Sequence, residues 1–355
     1  MTPPLLQPRN ILVTKFGGMG DYLCALPFLE DLHNLFSAAH LTIIASPAAR
    51  ELLTHRKLID DFITPRRLHL QGLSSLFTLG SAHDLLDALR HIPRPLDLFV
   101  DLGTKNSWGA MAKPLLMKLL LRPRLSIGLE QLGRAFFHNI KVPERTDAHN
   151  MLRYHELLRA LGGSPLFHLP LITPTAAMEA EADAFFGDTQ GLRIGLHPGA
   201  NPRFVATHAW PVARFAELAD RLSDIRGCRL YASGSPEEAP ILEALRAKAT
   251  AAITPIPYNP SVLSLAAYLK RLDLFISNDT GPMHLAVAMG VPTVGIFGHA
   301  NYAAYGSYPS PVPFEAVAFE LNTPNIDLTA PRRLEDITVD MVADKAARLF
   351  RIIGK

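Results

Sequence analysis

The chain has 355 residues, a formal net charge of +2 and a composition of 48% hydrophobic and 19% charged residues. This length favours two domains, and so much apolar material excludes a disordered chain. The near-balanced charge does not indicate a nucleic-acid partner. Cys24 and Cys228 stand far apart, which argues against a disulfide framework, a zinc site or a redox motif and favours a reducing, cytoplasmic compartment.

The first half of the chain alternates predicted strands and helices. Residues 11–16 form a short apolar run typical of a strand, and glycines at 17, 18 and 20 separate it from leucines at helical spacing. Strands are also predicted at 41–45 and 98–102, and a helix at 48–55. Such alternation predicts a parallel sheet covered by helices on both faces.

The most apolar segment of the chain is Trp108–Leu121. It is shorter than the roughly 20 residues of a membrane span, and two lysines and a proline interrupt it, so a buried or interfacial helix is predicted. Together with Arg66 and Arg67, its basic character fits peripheral contact with the cytoplasmic face of the inner membrane. A solvated surface is the alternative. Residues 1–10 contain no apolar stretch, so a secretory signal is not expected.

The second half of the chain repeats the alternation. Strands are predicted at 193–197, 229–233, 274–277 and 291–297, and helices at 212–222, 239–248 and 282–289. Prolines at 165, 170 and 174 mark the boundary between them and the first half. We therefore predict one domain over 1–170, a second over 171–335, and an amphipathic closing helix within 336–355.

Three junctions between a strand and a helix carry residues suited to chemistry. Ligands of parallel α/β sheets bind beyond the carboxyl ends of strands, where helix N-termini point. At the first junction, Gly17, Gly18 and Gly20 let backbone approach a ligand, and Asp21 lies at the start of the helix. Asp21 is either a functional carboxylate or a partner of the helix dipole. The loop is neither G-x-G-x-x-G nor a P-loop, so a dinucleotide site is not indicated.

The second junction follows the strand at 193–197. Gly199 offers backbone donors, and Arg203 and His208 are basic groups that a diphosphate would use. Trp210 is predicted to be a packing anchor, since aromatic rings dominate core burial. For His197 a site role and a structural role both stay open.

The third junction, residues 277–284, is the most informative. Asn278 or Asp279 can cap the helix, Gly281 permits close approach, and proline at 282 fits the first helical turn. The amides of that turn would then form an anion site. His284 lies on the same helix and is either part of the site or a core histidine.

Together these junctions resemble glycosyltransferase family 9, the ADP-heptose:lipopolysaccharide heptosyltransferases and their relatives. The matching stretches are Ile11–Pro27, Gly195–Phe215 and Asp273–Phe297, with a fainter match at Arg153–Leu158. The resemblance implies an α/β protein of the GT-B fold, with two Rossmann-like domains whose parallel sheets face across a cleft. It further implies a nucleotide-sugar donor held by the C-terminal domain, and a glycan or lipid-linked acceptor entering from the N-terminal domain.

The resemblance also implies roles for individual residues. Asp21 matches the family's general base, and Gly17, Gly18 and Gly20 match the acceptor-side loop. The diphosphate clamp corresponds to Thr280 and Gly281 with the amides after the proline, those of Met283 and His284. Asp279 corresponds to a residue near the donor sugar or phosphates. A lysine of the family is replaced by His208, so either a protonated His208 or Arg203 must take its place.

The implied reaction is inverting and independent of metal. The sequence contains neither a D-x-D nor an H-E-x-x-H motif, so helix-terminal amides and basic side chains would carry the charge of the leaving diphosphate. We expect a heptose-like sugar donor, ADP-linked, and no cofactor. Two alternatives stay open: a sugar-nucleotide-binding protein of the same fold without transfer activity, and a Rossmann oxidoreductase, against which the absence of G-x-G-x-x-G counts.

Overall fold

The structure is a computed structural model. It describes residues 7–54, 57–64, 86–103, 108–145, 147–170, 172–187, 191–200, 208–298, 302–306, 311–318 and 334–354. The chain divides into two compact units, Met1–Pro170 and Leu171–Lys355. Each unit is an α/β layer structure built on a parallel sheet.

The first unit contains a sheet of six described strands. They lie in the order β3-β2-β1-β4-β5-β6, and every described pair is parallel. The strands are β1 (Asn10–Thr14), β2 (His40–Ile44), β3 (Asp61–Ile63), β4 (Leu98–Asp101), β5 (Leu125–Glu130) and β6 (Ile140–Pro143). This order reverses direction between β1 and β4, which is the switch point where Rossmann-type sheets bind ligands.

Four labelled helices belong to this unit. They are α1 (Met19–Leu35), α2 (Arg50–Thr54), α3 (Trp108–Leu121) and α4 (Asn150–Ala160). Residues 86–90 are also helical, and a 3-10 turn, Pro47–Ala49, precedes α2. The central strand β1 is buried along residues 11–14 because helices cover both faces of the sheet, as its run of branched side chains predicts.

The second unit has the same strand order. Its six described strands run β12-β11-β10-β7-β8-β9, again all parallel, with the switch point between β7 and β10. They are β7 (Arg193–His197), β8 (Arg229–Ala232), β9 (Ile253–Pro255), β10 (Leu274–Asn278), β11 (Thr293–Phe297) and β12 (Phe314–Ala318).

The helices of the second unit complete its core. They are α5 (Ala176–Phe186), α6 (Val212–Ser223), α7 (Ala239–Lys248), α8 (Val262–Leu269), α9 (Gly281–Ala288), α10 (Tyr302–Tyr305) and α11 (Val339–Ile352). The closing helix α11 buries Val342, Ala346 and Leu349 in the same apolar cluster as α6 and the sheet. Trp210 is 1% exposed in that cluster, which confirms its predicted packing role.

No helix within the described ranges is both long enough and apolar enough to cross a lipid bilayer. The helix α3 does form over Trp108–Leu121 as the sequence predicts. Only one of its sides is buried, by Met111, Pro114, Met117 and Leu121. The helix is therefore neither fully buried nor fully exposed, and contact of its exposed side with a membrane stays a prediction.

Candidate functional site

The loop after β1 fixes the carboxylate of Asp21. Lys15 Nζ lies 3.0 Å from Asp21 Oδ1, and the amide of Gly18 donates to Asp21 Oδ2 at 3.0 Å. The second bond confirms the helix-terminal role of Asp21, because it satisfies an amide at the start of α1. The side chain of Lys15 is 4% exposed and that of Asp21 is 22% exposed. A charged carboxylate is thus held in one orientation with an accessible edge.

The three glycines of this loop differ in what surrounds them. A Cβ on Gly17 would lie 2.3 Å from Asp21 Oδ2, and the Gly17 carbonyl accepts from Ser46 Oγ at 3.0 Å. A Cβ on Gly18 would meet nothing within 4 Å. Gly20 is buried inside α1. Gly17 is therefore the position where a side chain would displace the carboxylate.

Two buried tyrosines hold Lys15 in place. The hydroxyl of Tyr22 donates to the Lys15 carbonyl at 2.6 Å and accepts from the Ser46 amide at 2.8 Å. The ring of Tyr154 lies beneath the ammonium, with Nζ 5.6 Å from its centroid. Burial raises the pKa of both tyrosines, so they stay neutral at pH 7. Tyr154 comes from α4, which gives the faint match at 153–158 a structural reason.

The second unit places a buried amide across its switch point. Asn278 ends β10, and its Nδ2 donates to the carbonyls of Pro198 and Gly199 at 2.9 and 3.1 Å. Its Oδ1 accepts from the Trp210 amide at 3.0 Å. This set of bonds, here called the Asn278 bridge, fixes the loop after β7 against the end of β10. The prediction that Asn278 or Asp279 caps α9 is wrong, because the N-cap residue of this helix is Thr280 and, among the described residues, no side chain caps it.

Glu238 and His197 lie beside Gly199 in this unit. Glu238 Oε2 accepts from the Ser235 amide at 2.8 Å, and a Cβ on Gly199 would lie 2.0 Å from Oε1. His197 Nδ1 donates to the Ser233 carbonyl at 2.9 Å, and its Nε2 is 3.7 Å from Glu238 Oε1. Burial lowers the pKa of His197, so its imidazole is neutral. His197 is thus a buried structural neighbour of the loop, while Glu238 keeps an exposed edge.

The N-terminus of α9 is the second feature of this unit. Thr280 is its N-cap residue, and the Thr280 hydroxyl makes its bonds to Ser277 Oγ and the Asn278 carbonyl, both at 3.2 Å. The amides of Met283 and His284 both donate to the Thr280 carbonyl, at 3.1 and 3.4 Å. Both amides therefore already have a partner within the first turn, and their predicted contact with a diphosphate stays a prediction.

The side chain of Met283 is fully buried against Phe297 and Ala316. This side chain therefore belongs to the core, so the predicted contact of Met283 with the donor could be made only by its backbone amide and stays a prediction. His284 is also buried, with Nε2 3.5 Å from Asp279 Oδ1 and its ring against Tyr305 at 5.8 Å between centroids. The contact between His284 and Asp279 shows that the Asp279 carboxylate points toward α9, the helix that follows it.

Of the remaining predicted residues, the structure describes Gly281 and His208 but not Arg203. Gly281 opens α9 and is half-buried, as is His208. Arg203 lies outside the described residues, so its predicted role stays untested. Sequence reasoning overlooked Glu238, Lys15 and Ser46, whose only available signal was their position after or near a parallel strand. Within the described ranges, no three His, Cys, Asp or Glu side chains lie together in a metal-binding arrangement.

The comparisons with known proteins agree with the resemblance seen in the sequence. The model of glycosyltransferase family 9 (heptosyltransferase) matches residues 115–326, more than half of the chain. Lipooligosaccharide heptosyltransferase 2 of Campylobacter jejuni is 30% identical over 112 residues, 31% of this chain and 34% of that protein. The lipopolysaccharide core heptosyltransferase OpsX of Haemophilus influenzae is 28% identical over 303 residues, 83% of this chain and 80% of that protein. The first of these matches thus spans only about a third of the relative's length.

Solved structures share the fold over nearly the whole chain. A family 9 glycosyltransferase from Veillonella parvula superimposes with a TM-score of 0.76 at 20% identity, covering 97% of this chain and 98% of that one. The E. coli heptosyltransferase WaaC with ADP gives a TM-score of 0.66 at 19% identity, covering 96% and 99%. At these identities the likeness establishes the fold, which is GT-B with two Rossmann-like units.

Proposed function

Because the chain belongs to glycosyltransferase family 9, we propose that it transfers a heptose-like sugar from an ADP-linked donor to a hydroxyl of a glycan or lipid-linked acceptor. The observation that carries this proposal is the Asp21 carboxylate, which Lys15 and the Gly18 amide hold in one orientation with an accessible edge. Such a group can take a proton from a hydroxyl within hydrogen-bond reach.

The donor belongs to the second unit in this proposal. Its switch point supplies the loop at Gly199, where the absence of a side chain leaves room for the Glu238 carboxylate. A carboxylate following the second strand of a Rossmann-like unit suits the hydroxyls of a ribose. The N-terminus of α9 suits the diphosphate, through the amide of Gly281 and the helix dipole. The structure of WaaC with ADP supports adenosine diphosphate as the nucleotide.

The chemistry follows from these placements. The acceptor hydroxyl oxygen attacks the anomeric carbon while its proton passes to Asp21. The bond between that carbon and the donor's phosphate oxygen breaks, and its electron pair leaves on the nucleoside diphosphate. A single displacement of this kind inverts the anomeric configuration. The leaving charge falls on helix-terminal amides and on the basic side chains of Arg203 and His208, so no metal ion takes part.

The first test replaces Asp21 by Asn. The amide keeps the size of the side chain and loses its basicity, so kcat should fall by at least about a hundredfold while ADP binding, followed by calorimetry, stays unchanged. A fully active variant would overturn the role of Asp21. Loss of ADP binding would instead point to a structural effect.

The donor, the metal requirement and the alternative functions are tested separately. Calorimetric titration with ADP, UDP, GDP and NAD should show ADP as the tightest ligand, whereas preferred binding of NAD would favour an oxidoreductase. Binding of ADP without any transfer to heptose-deficient lipopolysaccharide would indicate a non-catalytic binding protein. Activity should persist in EDTA, and a loss that Mg²⁺ restores would refute metal independence. The product anomer, read by NMR, tests inversion.

A further inference from the structure

The helix α3 carries apolar side chains on its exposed side. Trp108 is 65% exposed and Leu119 is 63% exposed, and Leu116 and Leu120 are exposed beside them. A surface helix of a water-soluble domain normally places polar residues there, opposite its buried stripe. Here the buried stripe and the exposed side are both apolar. Exposure of these apolar side chains to water is unfavourable, which indicates that another surface covers them.

A neighbouring turn extends the same apolar surface. Leu132 is 77% exposed and Phe136 is 58% exposed. Leu132 adopts a positive φ of 54°, a conformation that L residues rarely take, and the turn is held by a bond from the Ala135 amide to Glu130 Oε2 at 2.9 Å. A turn built with backbone strain thus presents a leucine to solvent.

Two contacts join the turn to the helix. The Lys118 ammonium donates to the Phe137 carbonyl, and the Arg134 guanidinium lies 6.0 Å from the centroid of the Trp108 ring. The exposed apolar residues of both segments therefore form one patch, here called the α3 surface. Its members are Trp108, Leu116, Leu119, Leu120, Leu132 and Phe136.

The segment that carries this patch is strongly basic. From Trp108 to Val142 the sequence contains six Lys and Arg residues and one acidic residue, Glu130. Glu130 is only half-buried but its Oε2 is occupied by the Ala135 amide, while Arg122 and Lys141 are exposed. A segment that combines exposed apolar side chains with a basic composition is typical of one that lies in the interface of an anionic bilayer.

We propose that the α3 surface docks on a lipid bilayer with anionic headgroups. Trp108, Leu119 and Leu132 enter the boundary between headgroups and acyl chains, where a tryptophan ring is favoured. The surrounding arginines and lysines contact the phosphates of the lipids. The α3 helix lies along the membrane plane, since it has 14 residues and cannot span the bilayer.

The two tryptophans of the chain supply a direct readout. Trp108 is 65% exposed and Trp210 is 1% exposed, so only Trp108 can change its surroundings on docking. Vesicles of phosphatidylcholine with phosphatidylglycerol should shift the full-length protein's emission to shorter wavelength, whereas phosphatidylcholine alone should give little shift. The Trp108→Phe variant should still sediment with vesicles but lose the spectral response. An unchanged emission of the wild type on bound vesicles would overturn the proposal.

Surface variants identify the face that binds. Leu119→Gln with Leu132→Gln should lower vesicle partitioning by about tenfold or more, without loss of fold because both side chains are exposed. The matched control is Ile352→Gln, which removes a 62% exposed side chain from the second unit and should bind vesicles as the wild type does. Equal binding by the double variant and the wild type would refute the assignment.

Ionic strength and self-association complete the test. Raising NaCl to about 0.5 M should weaken binding, because salt screens the contact between cations and headgroups. If sedimentation velocity instead shows a dimer that the double variant abolishes, and vesicles do not bind, the α3 surface joins two copies and the proposal fails. None of these measurements needs a sugar donor, so their outcome does not depend on the proposed transferase activity.

Discussion

The first prediction concerns Gly17→Ala. The new Cβ would lie 2.3 Å from Asp21 Oδ2 and 2.5 Å from its Cγ, whereas ordinary contacts begin at 3.4 Å. The added methyl group must therefore push the carboxylate away by about 1 Å, a displacement that can lower a catalysed rate by about a hundredfold. The Cβ of Asp21 is also close, at 2.8 Å, so rotation of the carboxylate alone does not relieve the clash.

The measurement is ADP release from ADP-heptose in the presence of heptose-deficient lipopolysaccharide, coupled to NADH oxidation. We expect kcat to fall by about a hundredfold and the donor KM to change little, since the residues proposed to bind the donor belong to the other unit. Gly18→Ala is the matched control, because its Cβ meets nothing within 4 Å and Gly18 has a negative φ of −86°. Wild-type kcat in Gly17→Ala, or equal losses in both variants, would refute this reasoning.

Three further changes test other parts of the structure. Asn278→Ala removes the three hydrogen bonds of the Asn278 bridge, so the free energy of unfolding in urea should fall by about 3 kcal/mol; an unchanged value would show that the bridge is not stabilising. Burial lowers the pKa of His155, so on acidification the unfolded state takes up a proton at this side chain before the folded state does. The free energy of unfolding therefore falls as pH drops below about 6.5. His155→Phe should make that decline shallower, by up to roughly 1.4 kcal/mol per pH unit, in urea titrations at pH 7 and pH 5. Lys15→Met removes the ammonium that lies 3.0 Å from Asp21 Oδ1 and should lower kcat, whereas Lys15→Arg keeps the charge and should retain more activity; equal kcat values for the two variants would contradict a charge effect.

The strands were predictable from the sequence where long apolar runs were bounded by turn residues such as glycine and proline. β1, β7 and β10 lie where the sequence predicts strands, although β1 ends at Thr14, two residues early. The short edge strands β6 and β9 were not predicted. Each ends in a proline and has few residues, and β9 buries only one of them, so neither leaves a periodic pattern. Their pairing depends on sheet neighbours distant in sequence.

The candidate site was predictable only at the level of loops. Gly17 and Gly18 are adjacent glycines that the sequence does not distinguish, yet only a Cβ on Gly17 would meet the Asp21 carboxylate. Met283 belongs to the most specific motif and is nevertheless a core residue. Asn278 carries the signal of a helix cap, but its amide bonds to the loop after β7 and to Trp210. Which side chain faces solvent after a tight turn is decided by packing, and a linear motif does not contain that information.

The same strand order gives the two units different electrostatics at their switch points. In the first unit, α1 carries Asp21 in its first turn, and that carboxylate already accepts the Gly18 amide. A phosphate there would meet a negative charge, so this helix end suits a neutral hydroxyl. In the second unit, α9 has no acidic residue in its first turn, and Asp279 faces His284. The helix dipole there stays available to an anion. This difference in charge, rather than in fold, favours the second unit for the diphosphate and the first for the acceptor.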